Sequence, residues 1–583
     1  MNPFNSVRRD LLRVGSLGMA SAALPALASA AGASAAGKDK TPAATPIVFN
    51  VRQYGATGDG KTLDTDAVNR AIAAAAAAGG GTVLFPAGVY LCFSIHLQNY
   101  IHLYLDAGAT ILAAESPKPG ETTGYNGGTY DAAEPNTAWD AYQDYGHNHW
   151  HNSLIWAVDM HDFSITGPGL IYGKGLSFGA GPGRGQQGGL RGFGPERPAG
   201  TPAPTAPPAF NPARMARGDY PMYQAEQPGV GNKAIALKNC RNVLLRDFSI
   251  LKGGHFALLL TGVDNLTIDN LTLDTDRDGM DIDCCQNVRV SNCTVNSPWD
   301  DGICPKSSYA LGYPRATRNL TIDSCWVSGY YELGSVLDGT FKKFAPDARL
   351  SHNGRIKCGT ESNGGFINIT ISNCIMEGCQ GYALESVDGA LLEDIAITNS
   401  TMRDMYTGPL FMRLGSRLRG PRETTKVGTM KRILIGNLDC FNATKNQASI
   451  LTGIPGYAIE DVKLSNIYFE SAGGGAAEDA KSHPTEQQDN YPDPGRFGTT
   501  PSSGFFLRHM RNLEMSHVEI ANTVPDARPA FYLNDVERAD FFAITAPRTT
   551  DGAFVLQNVK DLRIGWSRAA ADTTLATVDN KTL

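Results

Sequence analysis

The chain has little of the charge that marks nucleic-acid-binding or disordered proteins. Charged residues make up 19% of its 583 residues, and 51 basic against 58 acidic residues give a formal net charge of −7. A protein that binds nucleic acid or an anionic membrane needs a basic excess, and a disordered chain has fewer apolar residues than the 42% found here. We therefore expect a globular protein with no nucleic-acid partner.

Long hydrophobic runs are also scarce. An Ala-rich stretch follows Arg8 and Arg9 and ends at Ala28-Ser29-Ala30, which is the pattern of a twin-arginine export signal; a disordered tail is the alternative. No other stretch reaches the roughly 18 apolar residues that span a bilayer. The sequence predicts a signal peptide over 1–30, a disordered linker over 31–47, no membrane anchor and a periplasmic or secreted protein.

Cysteine is sparse and odd in number. Eleven thiols spread along the chain cannot all pair, so a disulfide framework does not organise the fold. Cys293, Cys325 and Cys374 follow similar dipeptides (Ser-Asn, Asp-Ser and Ser-Asn), which favours a stack inside a repeat over metal ligation. We expect no metal, no other cofactor and a monomeric protein.

One short phrase recurs along the chain: Asn or Asp, an apolar residue, any residue, an apolar residue and a polar pair. It begins at Asn242, Asn265, Asn287, Asn319, Asn368, Asp394 and Asp461. The first intervals are 23 and 22 residues, and the apolar and polar residues alternate with the period of a strand. A β-sandwich lacks one phrase at so long an interval. The sequence predicts an all-β fold, a right-handed parallel β-helix.

The N-terminal end of this solenoid is predicted to carry a short capping helix. Residues 64–78 begin with possible capping side chains and end in an Ala run, and three glycines stop the helix. We expect a single β-helix domain over 48–583, with loop insertions near 113–150 and 176–232. Long loops in a compact fold are usually functional or disordered, and we expect the first insertion to form a groove wall.

Two acidic clusters lie one repeat apart. Asp278 in DTDRDGMDID and Asp300 in SPWDDGICPKS are separated by 22 residues, and Asp301 follows directly. Neighbouring rungs stack at about 4.8 Å, so three carboxylates would share a patch in which one is pushed toward the protonated form. Inverting hydrolysis of a glycosidic bond needs such an acid and base, roughly 6.5–9.5 Å apart. Aspartates that cap turns are the alternative, which we favour for Asp281.

Two cations follow at GRIK. Arg355 and Lys357 are two residues apart, which puts them on the same face of a strand. A uronate carboxylate suits such a pair, although a solvated polar face is the alternative. Lys306, five residues after Asp301, is expected either to contact substrate or to form a structural ion pair.

The order DGMD, DDGICPKS and GRIK resembles glycoside hydrolase family 28, the polygalacturonases and their relatives. The segments FNVRQYGATGDG and SITGPGLIYGKG are also similar to the family's opening turns, and the resemblance runs from about residue 49 to at least 405. It implies a hydrolase that cleaves α-linked galacturonide in pectic polysaccharide or oligosaccharide with inversion. The long insertions favour exo action.

The resemblance also implies roles for single residues. Asp300 resembles the family's general acid, and Asp278 and Asp301 resemble the pair that activates water. Arg355 and Lys357 resemble the residues that hold the sugar carboxylate at the cleavage subsite.

One motif departs from the family. Polygalacturonases usually carry Gly-His-Gly between the acidic pair and GRIK, where this chain has Gly329-Tyr330-Tyr331-Glu332-Leu333-Gly334. In the family the histidine supports the acid by a hydrogen bond, so Tyr331 or Glu332 is expected to replace it, or the sugar differs. Members that act on rhamnogalacturonan also lack the histidine, which makes that polymer the second choice of substrate.

Other residues permit other interpretations. His147, His149 and His151 suggest zinc, but Trp150 with Tyr142 and Tyr145 is more consistent with a sugar-stacking surface. Glu361, Glu385 and Asp388 could line the rim of the groove. A calcium-dependent lyase and a non-catalytic carbohydrate-binding β-helix are the competing functions.

Overall fold

Short strands and tight turns alternate along the chain that the computed structural model describes, which comprises residues 47–118, 120–144, 146–177, 227–348, 350–549 and 552–583. The predicted signal peptide, nearly all of the predicted linker and most of the 176–232 insertion lie outside these residues. The described part belongs to one structural unit.

Thirty-five strands are present in the described part. The first thirteen are β1 (Val48–Asn50), β2 (Asp59–Leu63), β3 (Gly81–Phe85), β4 (Gly88–Cys92), β5 (Ile95–His96), β6 (Ile101–Leu105), β7 (Ala109–Ala113), β8 (Ile155–Val158), β9 (His161–Thr166), β10 (Leu170–Tyr172), β11 (Lys233–Lys238), β12 (Arg241–Arg246) and β13 (Ser249–Leu251). The next thirteen are β14 (Phe256–Thr261), β15 (Asp264–Asp269), β16 (Thr272–Asp274), β17 (Asp278–Asp283), β18 (Gln286–Ser291), β19 (Thr294–Asn296), β20 (Ile303–Lys306), β21 (Thr317–Asp323), β22 (Trp326–Ser328), β23 (Lys357–Cys358), β24 (Phe366–Ser372), β25 (Ile375–Glu377) and β26 (Tyr382–Ser386). The last nine are β27 (Leu391–Arg403), β28 (Leu410–Leu414), β29 (Thr429–Ala443), β30 (Ser449–Thr452), β31 (Ile459–Gly473), β32 (Phe505–Val524), β33 (Phe531–Phe542), β34 (Phe554–Gly565) and β35 (Thr573–Thr582).

The strands wind into a right-handed parallel β-helix, as predicted. Each central rung contributes three strands, and each strand pairs in parallel with its equivalent on the next rung: β12 with β15, then β18, then β21. Strands β5, β8, β11, β14, β17 and β20 form a six-stranded sheet on one side of the coil. Alternate side chains of the strands point inward and form a continuous apolar core.

The recurring asparagines stack between rungs. The Nδ2 of Asn265 donates to Oδ1 of Asn242 at 3.0 Å, and the ladder continues through Asn287, Asn319 and Asn368. All five adopt a left-handed backbone conformation, which Asn tolerates better than most residues. This ladder explains why the phrase begins with Asn.

The eleven cysteines are all free and buried. Cys293, Cys325 and Cys374 precede Thr294, Trp326 and Ile375, which pair across successive rungs. The predicted internal stack is therefore present.

Both ends of the coil are covered. Helix α1 (Thr65–Ala77) packs on β1 and β3 through a face of Ala67, Val68, Ala71, Ile72 and Ala75. At the other end β35 runs antiparallel to β34. Covered ends prevent edge-to-edge growth of the sheets.

Short 3₁₀ helices lie in the turns and loops, at Val51–Tyr54, Tyr125–Gly127, Asp140–Tyr142, Asp479–Lys481 and Pro494–Phe497. No helix in the described part is both long and apolar enough to cross a membrane.

Candidate active site

The strand register brings the two acidic clusters together. Met280 of β17 pairs with Ile303 of β20, so the repeat here is 23 residues and Asp278 aligns with Asp301 rather than with Asp300. One oxygen from each of Asp278, Asp300 and Asp301 lies within 4.8 Å of the others. This limit joins the nearest oxygen of each group, whereas the gap of roughly 6.5–9.5 Å in inverting enzymes is measured between the carboxyl groups.

Asp300 is the most exposed of the three, with 20% of its side chain accessible. Arg277 donates to its Oδ2 from Nε at 3.1 Å and from Nη2 at 2.6 Å. Its Oδ1 accepts from the backbone N–H of Asp301 at 3.1 Å and from Nδ2 of Asn353 at 3.5 Å. Each of these contacts comes from a donor, and the two from Arg277 are charge-assisted.

Asp301 is fully buried between the two cations of GRIK. Arg355 Nε donates to its Oδ1 at 2.8 Å, and Lys357 Nζ contacts its Oδ2. Burial alone would raise the pKa of Asp301, but the charges of Lys357 and Arg355 outweigh it and hold the pKa well below the usual range. Asp301 is therefore ionised, and the cations reach the centre as predicted but are themselves buried and paired.

No Lys, Arg or His nitrogen of the described residues lies within 4.0 Å of an Asp278 oxygen. The Oδ1 of Asp278 is buried and accepts no hydrogen bond. Burial, together with the charges of Asp300 and Asp281, raises the pKa of Asp278 well above its ordinary value. The carboxyl group that these contacts protonate is therefore Asp278, whereas the resemblance assigns the proton to Asp300.

Lys306 belongs to a buried network behind the acids. Its Nζ lies 3.2 Å from Glu361 Oε2 and 3.8 Å from Asp281 Oδ2, and His147 Nε2 lies 3.0 Å from that Asp281 oxygen. Lys306 thus forms an ion pair, as in the second of the two predicted alternatives. Asp281 is a network member instead of a turn cap.

The predicted groove rim is wrong, because its three carboxylates are buried. Glu361 accepts from Arg419 at 2.8 Å, and Asp388 pairs with Arg417 at 2.5 Å. Both oxygens of Glu385 lack a hydrogen-bond partner, and burial raises the pKa of Glu385 to about 7, opposed by Lys357 and Arg355.

Tyr331 and Glu332 do not support Asp300. The Tyr331 hydroxyl donates to Glu377 at 3.3 Å, and Glu332 pairs with the exposed Lys342 at 2.8 Å. Tyr331 packs in a cluster with Tyr330, Val336 and Trp326. Arg277 and Asn353 make the contacts with Asp300 that these residues were predicted to make.

The first insertion does form a wall of the site. We call residues 139–150, without 145, the strap. Asp144 accepts from Arg419 at 2.6 Å, and Trp150 Nε1 donates to Thr261 of β14 at 3.0 Å. Trp150 is buried beneath Lys238, so it cannot stack on a sugar. Tyr142 packs edge-on against Tyr309, and Tyr145 lies outside the described residues.

Two histidines of HNHWH lie next to different carboxylates. His147 pairs with Asp281, and His151 Nε2 lies 3.6 Å from Glu134 Oε1. The groups in the described part that could hold a metal are Asp278 with Asp281 and Cys304, and the acidic trio; neither contains a histidine. The structure therefore gives no support to the zinc interpretation.

A second loop, residues 474–504, supplies a residue that sequence reasoning missed. Tyr491 is 38% exposed, its ring lies 5.7 Å from Arg417 Cζ, and the charges of Lys357, Asp144 and Glu385 act on its hydroxyl. No repeat phrase marks this loop. Its approach to the site could not be read from the rung spacing.

Two family models match parts of the chain. One, described as rhamnogalacturonase A/epimerase, pectate lyase-like, matches residues 48–137, and the other, a right-handed β-helix region, matches residues 233–419. The first lies at the capped end of the coil. The second spans the rungs that carry the acidic centre.

Curated relatives match only short segments. Alginate lyase 7 of Azotobacter vinelandii is 62% identical over 42 residues, or 7% of this chain and 5% of its own. Exo-poly-alpha-D-galacturonosidase of Dickeya chrysanthemi is 41% identical over 76 residues, or 13% of this chain and 12% of its own. The matches thus span far less than two thirds of either relative.

A solved structure extends the likeness over most of the coil. The family 28 exopolygalacturonase of Yersinia enterocolitica superposes with a TM-score of 0.50 at 17% identity, covering 90% of this chain and 79% of that one. At this identity the likeness establishes the fold. The chain is therefore a right-handed parallel β-helix protein that resembles the family 28 polygalacturonases.

Proposed function

We propose that the chain is an exported glycoside hydrolase that cleaves α-linked galacturonide in pectic polysaccharide or oligosaccharide. The observation that carries the proposal is the approach of Asp278, Asp300 and Asp301 within 4.8 Å, with Arg355 and Lys357 in contact with the last of them. Glycoside hydrolysis requires an acid and a base at one point.

The trio can supply both groups. Burial and the neighbouring carboxylates raise the pKa of Asp278 well above its ordinary value, so Asp278 holds a proton that it can donate. Asp301 stays ionised between its two cations. One carboxylic acid for the leaving oxygen and one carboxylate for the attacking water are then available.

The charge of the centre favours an acidic sugar. Arg355 and Lys357 carry two positive charges, and Asp301 compensates one of them. Glu385, the next carboxyl group nearby, is largely neutral below its pKa of about 7. At mildly acidic pH a positive charge therefore remains for the carboxylate of a uronate.

Two loops support exo action. The strap belongs to the connection between β7 and β8, and its Asp144 contacts Glu361 and Arg419. Glu361 lies on the fifth rung after β8, so this connection extends over about five rung spacings, roughly 24 Å. On the later rungs, Phe497 of the 474–504 loop packs with Phe411 and Phe506 over the same side. A site covered on both sides along the coil admits a chain end more readily than the middle of a polymer. A long galacturonide should therefore release monosaccharide, and a ladder of short oligomers would contradict exo action.

The central experiment assays Asp300→Asn and Asp301→Asn on defined galacturonide oligomers, counting new reducing ends. Each variant should lose roughly 10²–10⁴-fold in kcat. Asp338→Asn, on an exposed loop, is the matched control and should keep wild-type activity. Undiminished turnover by Asp300→Asn would refute the assignment.

Inversion is the proposed stereochemical course. Water must reach the anomeric carbon from the face opposite the leaving oxygen. Proton NMR of the first product should show the β anomer before mutarotation. An initial α anomer would indicate a covalent intermediate on one of the close carboxylates.

A rhamnogalacturonan-type hydrolase is the second candidate. The absence of Gly-His-Gly at Gly329-Tyr330-Tyr331 favours it, and so does the description of the model that matches residues 48–137. A panel of galacturonan and rhamnogalacturonan oligomers separates the two candidates. We expect the pure galacturonide to be cleaved faster, because both GRIK cations are retained.

Export rests on Arg8 and Arg9 before the Ala-rich stretch. A reporter fused behind residues 1–35 should leave the bacterial cytoplasm through the twin-arginine pathway. Replacement of both arginines by Lys should retain the reporter inside the cell, and continued export by another route would contradict the proposal.

A further inference from the structure

Lys233, at the start of β11, is a fully buried cation outside the acidic trio. Its Nζ donates to Oδ1 of Asn152 at 3.0 Å and to Oδ1 of Asn232. No carboxylate oxygen among the described residues lies within 4.0 Å of this Nζ, and Glu134 is the one charged group that acts on it. Glu134 Oε2 accepts from the backbone N–H of Trp150 at 2.8 Å, and Oε1 lies 3.6 Å from His151 Nε2.

An ammonium group in this position is costly. Burial lowers the pKa of Lys233 to about 7, because two neutral amide oxygens replace water but supply no opposite charge. Such a group gains strongly from an anion that approaches it. The neighbouring Asn232 Nδ2 is a second donor, fully buried and without a hydrogen-bond partner.

The register places Lys233 in line with the acids. Lys233 pairs with Phe256, and Phe256 pairs with Asp278 on the following rung. Lys233 therefore lies two rung spacings, about 10 Å, before Asp278 along the coil. Arg355 and Lys357 lie on the other side of the acids, next to Asp301.

The acids thus have a cationic group on each side along the coil axis. A glycosidic bond held at the acids joins two sugars, one directed toward the GRIK cations and the other toward β11. In a galacturonide each sugar carries a carboxylate. The second carboxylate needs a donor pair of its own.

We propose that Lys233 Nζ and Asn232 Nδ2 bind the carboxylate of the uronate that lies across the scissile bond from Arg355 and Lys357. This subsite rests on the proposed function and names the sugar at its second position. A chain end that enters beside the partly exposed Arg277 and Asp300 side chains would direct its terminal carboxylate toward Lys233 under the strap. The site therefore recognises two consecutive uronates.

The test compares two substrates with wild type and Lys233→Met. One is digalacturonate, and the other is the same dimer with the carboxyl group of the sugar remote from GRIK reduced to an alcohol. Lys233→Met should lower kcat/KM for digalacturonate about 100-fold and for the reduced dimer less than threefold. Equal losses on both substrates would show that Lys233 only anchors the strap and would overturn the proposal, as would no loss on either.

Two further variants serve as controls for this comparison. Lys238→Met removes a lysine of the same strand that lies over Trp150, and it should not change the preference between the two dimers. Asn232→Asp keeps the shape of the side chain and gives Lys233 a permanent counter-charge. It should fold with an unchanged circular dichroism spectrum and lose the preference for digalacturonate; a preserved preference would contradict the subsite.

Binding without turnover separates this proposal from the proposed function. Calorimetry with Asp301→Asn should show digalacturonate binding at least tenfold more tightly than the reduced dimer, and the added Lys233→Met should abolish that difference. If wild type hydrolyses no galacturonide but this difference remains, the hydrolase proposal fails and the carboxylate subsite stands. If wild type hydrolyses both dimers equally well, the subsite fails alone.

Discussion

Arg277 donates two hydrogen bonds to one oxygen of Asp300, from Nε at 3.1 Å and from Nη2 at 2.6 Å. The offset of 23 residues that aligns Asp278 with Asp301 also separates Arg277 from Asp300. In the polygalacturonases that this chain resembles, a histidine supports the corresponding acid. Here a guanidinium from the preceding rung makes that contact, so the substitute carries a fixed positive charge.

The first prediction concerns this pair. Arg277→Met should lower kcat on digalacturonate about 100-fold with little change in KM, because Asp300 loses the fork that holds its orientation. Arg277→Lys keeps the charge without the fork and should recover only part of the activity. Arg289→Met, on the exposed side of β18, is the matched control and should behave as wild type. An unchanged kcat in Arg277→Met would show that the pair has no catalytic consequence.

The repeat phrase was sufficient to predict the coil. Apolar alternation gives the strands, and the stacked asparagines that begin each phrase make the interval visible in the sequence. The same interval brought Asp278 and Asp300 to one patch, but with an error of one residue. An exact register depends on how each turn is built, which the phrase does not encode.

The remaining residues of the site were harder to predict. Arg277 could have been found, because its distance of 23 residues from Asp300 equals the first interval of the phrase. Tyr491 could not, since it comes from a loop whose path is set by contacts such as Arg413 Nη2 with the Glu486 carbonyl at 2.6 Å. The sequence also did not show which carboxylates are buried. Glu361, Glu385 and Asp388 were therefore predicted on a rim that they do not form.

The second prediction is a pH dependence of stability due to Glu385. Its pKa is raised from 4.5 to about 7 by burial, so the folded protein binds this proton more tightly than the unfolded chain. The stability that this proton provides is complete below about pH 4.5 and is lost as the pH rises through 7. Over that range the contribution amounts to about 3 kcal/mol.

The glutamine in Glu385→Gln cannot titrate. The free energy of unfolding of this variant should therefore increase relative to that of wild type as the pH rises. Denaturant unfolding at pH 4 and pH 9 should give a difference between the two proteins that grows by about 3 kcal/mol toward the higher pH. Glu332→Gln, at an exposed ion pair, should show no such trend. A constant difference for Glu385→Gln would mean that Glu385 titrates normally.

The third prediction concerns calcium. Three carboxylates within 4.8 Å resemble a metal site, but Arg277, Arg355 and Lys357 already contact two of them. A calcium ion would have to displace these cations, so we expect a chelator to change activity less than twofold. Products should show no absorbance of an unsaturated uronate. Chelator-sensitive activity with an unsaturated product would identify a lyase on the same coil.

The fourth prediction assigns the proton. Among the described residues, the hydrogen bonds to Asp300 come from Arg277, Asn353 and the Asp301 N–H. Asp278 Oδ1 has no hydrogen-bond partner in this part of the chain, and burial raises the pKa of Asp278. From these contacts we expect Asp278 to act as the general acid and Asp300 as the base that activates water. The resemblance implies the opposite order, so the two assignments can be tested against each other.

A substrate with a leaving group that needs no proton discriminates between them. The variant that lacks the acid should hydrolyse 2,4-dinitrophenyl α-galacturonide nearly as fast as wild type while losing roughly 10²–10⁴-fold on digalacturonate, and the variant that lacks the base should be slow on both. We expect Asp278→Asn to show the first pattern and Asp300→Asn the second. The reverse result would return the acid role to Asp300 and would mean that substrate binding breaks the Arg277 contact before proton transfer.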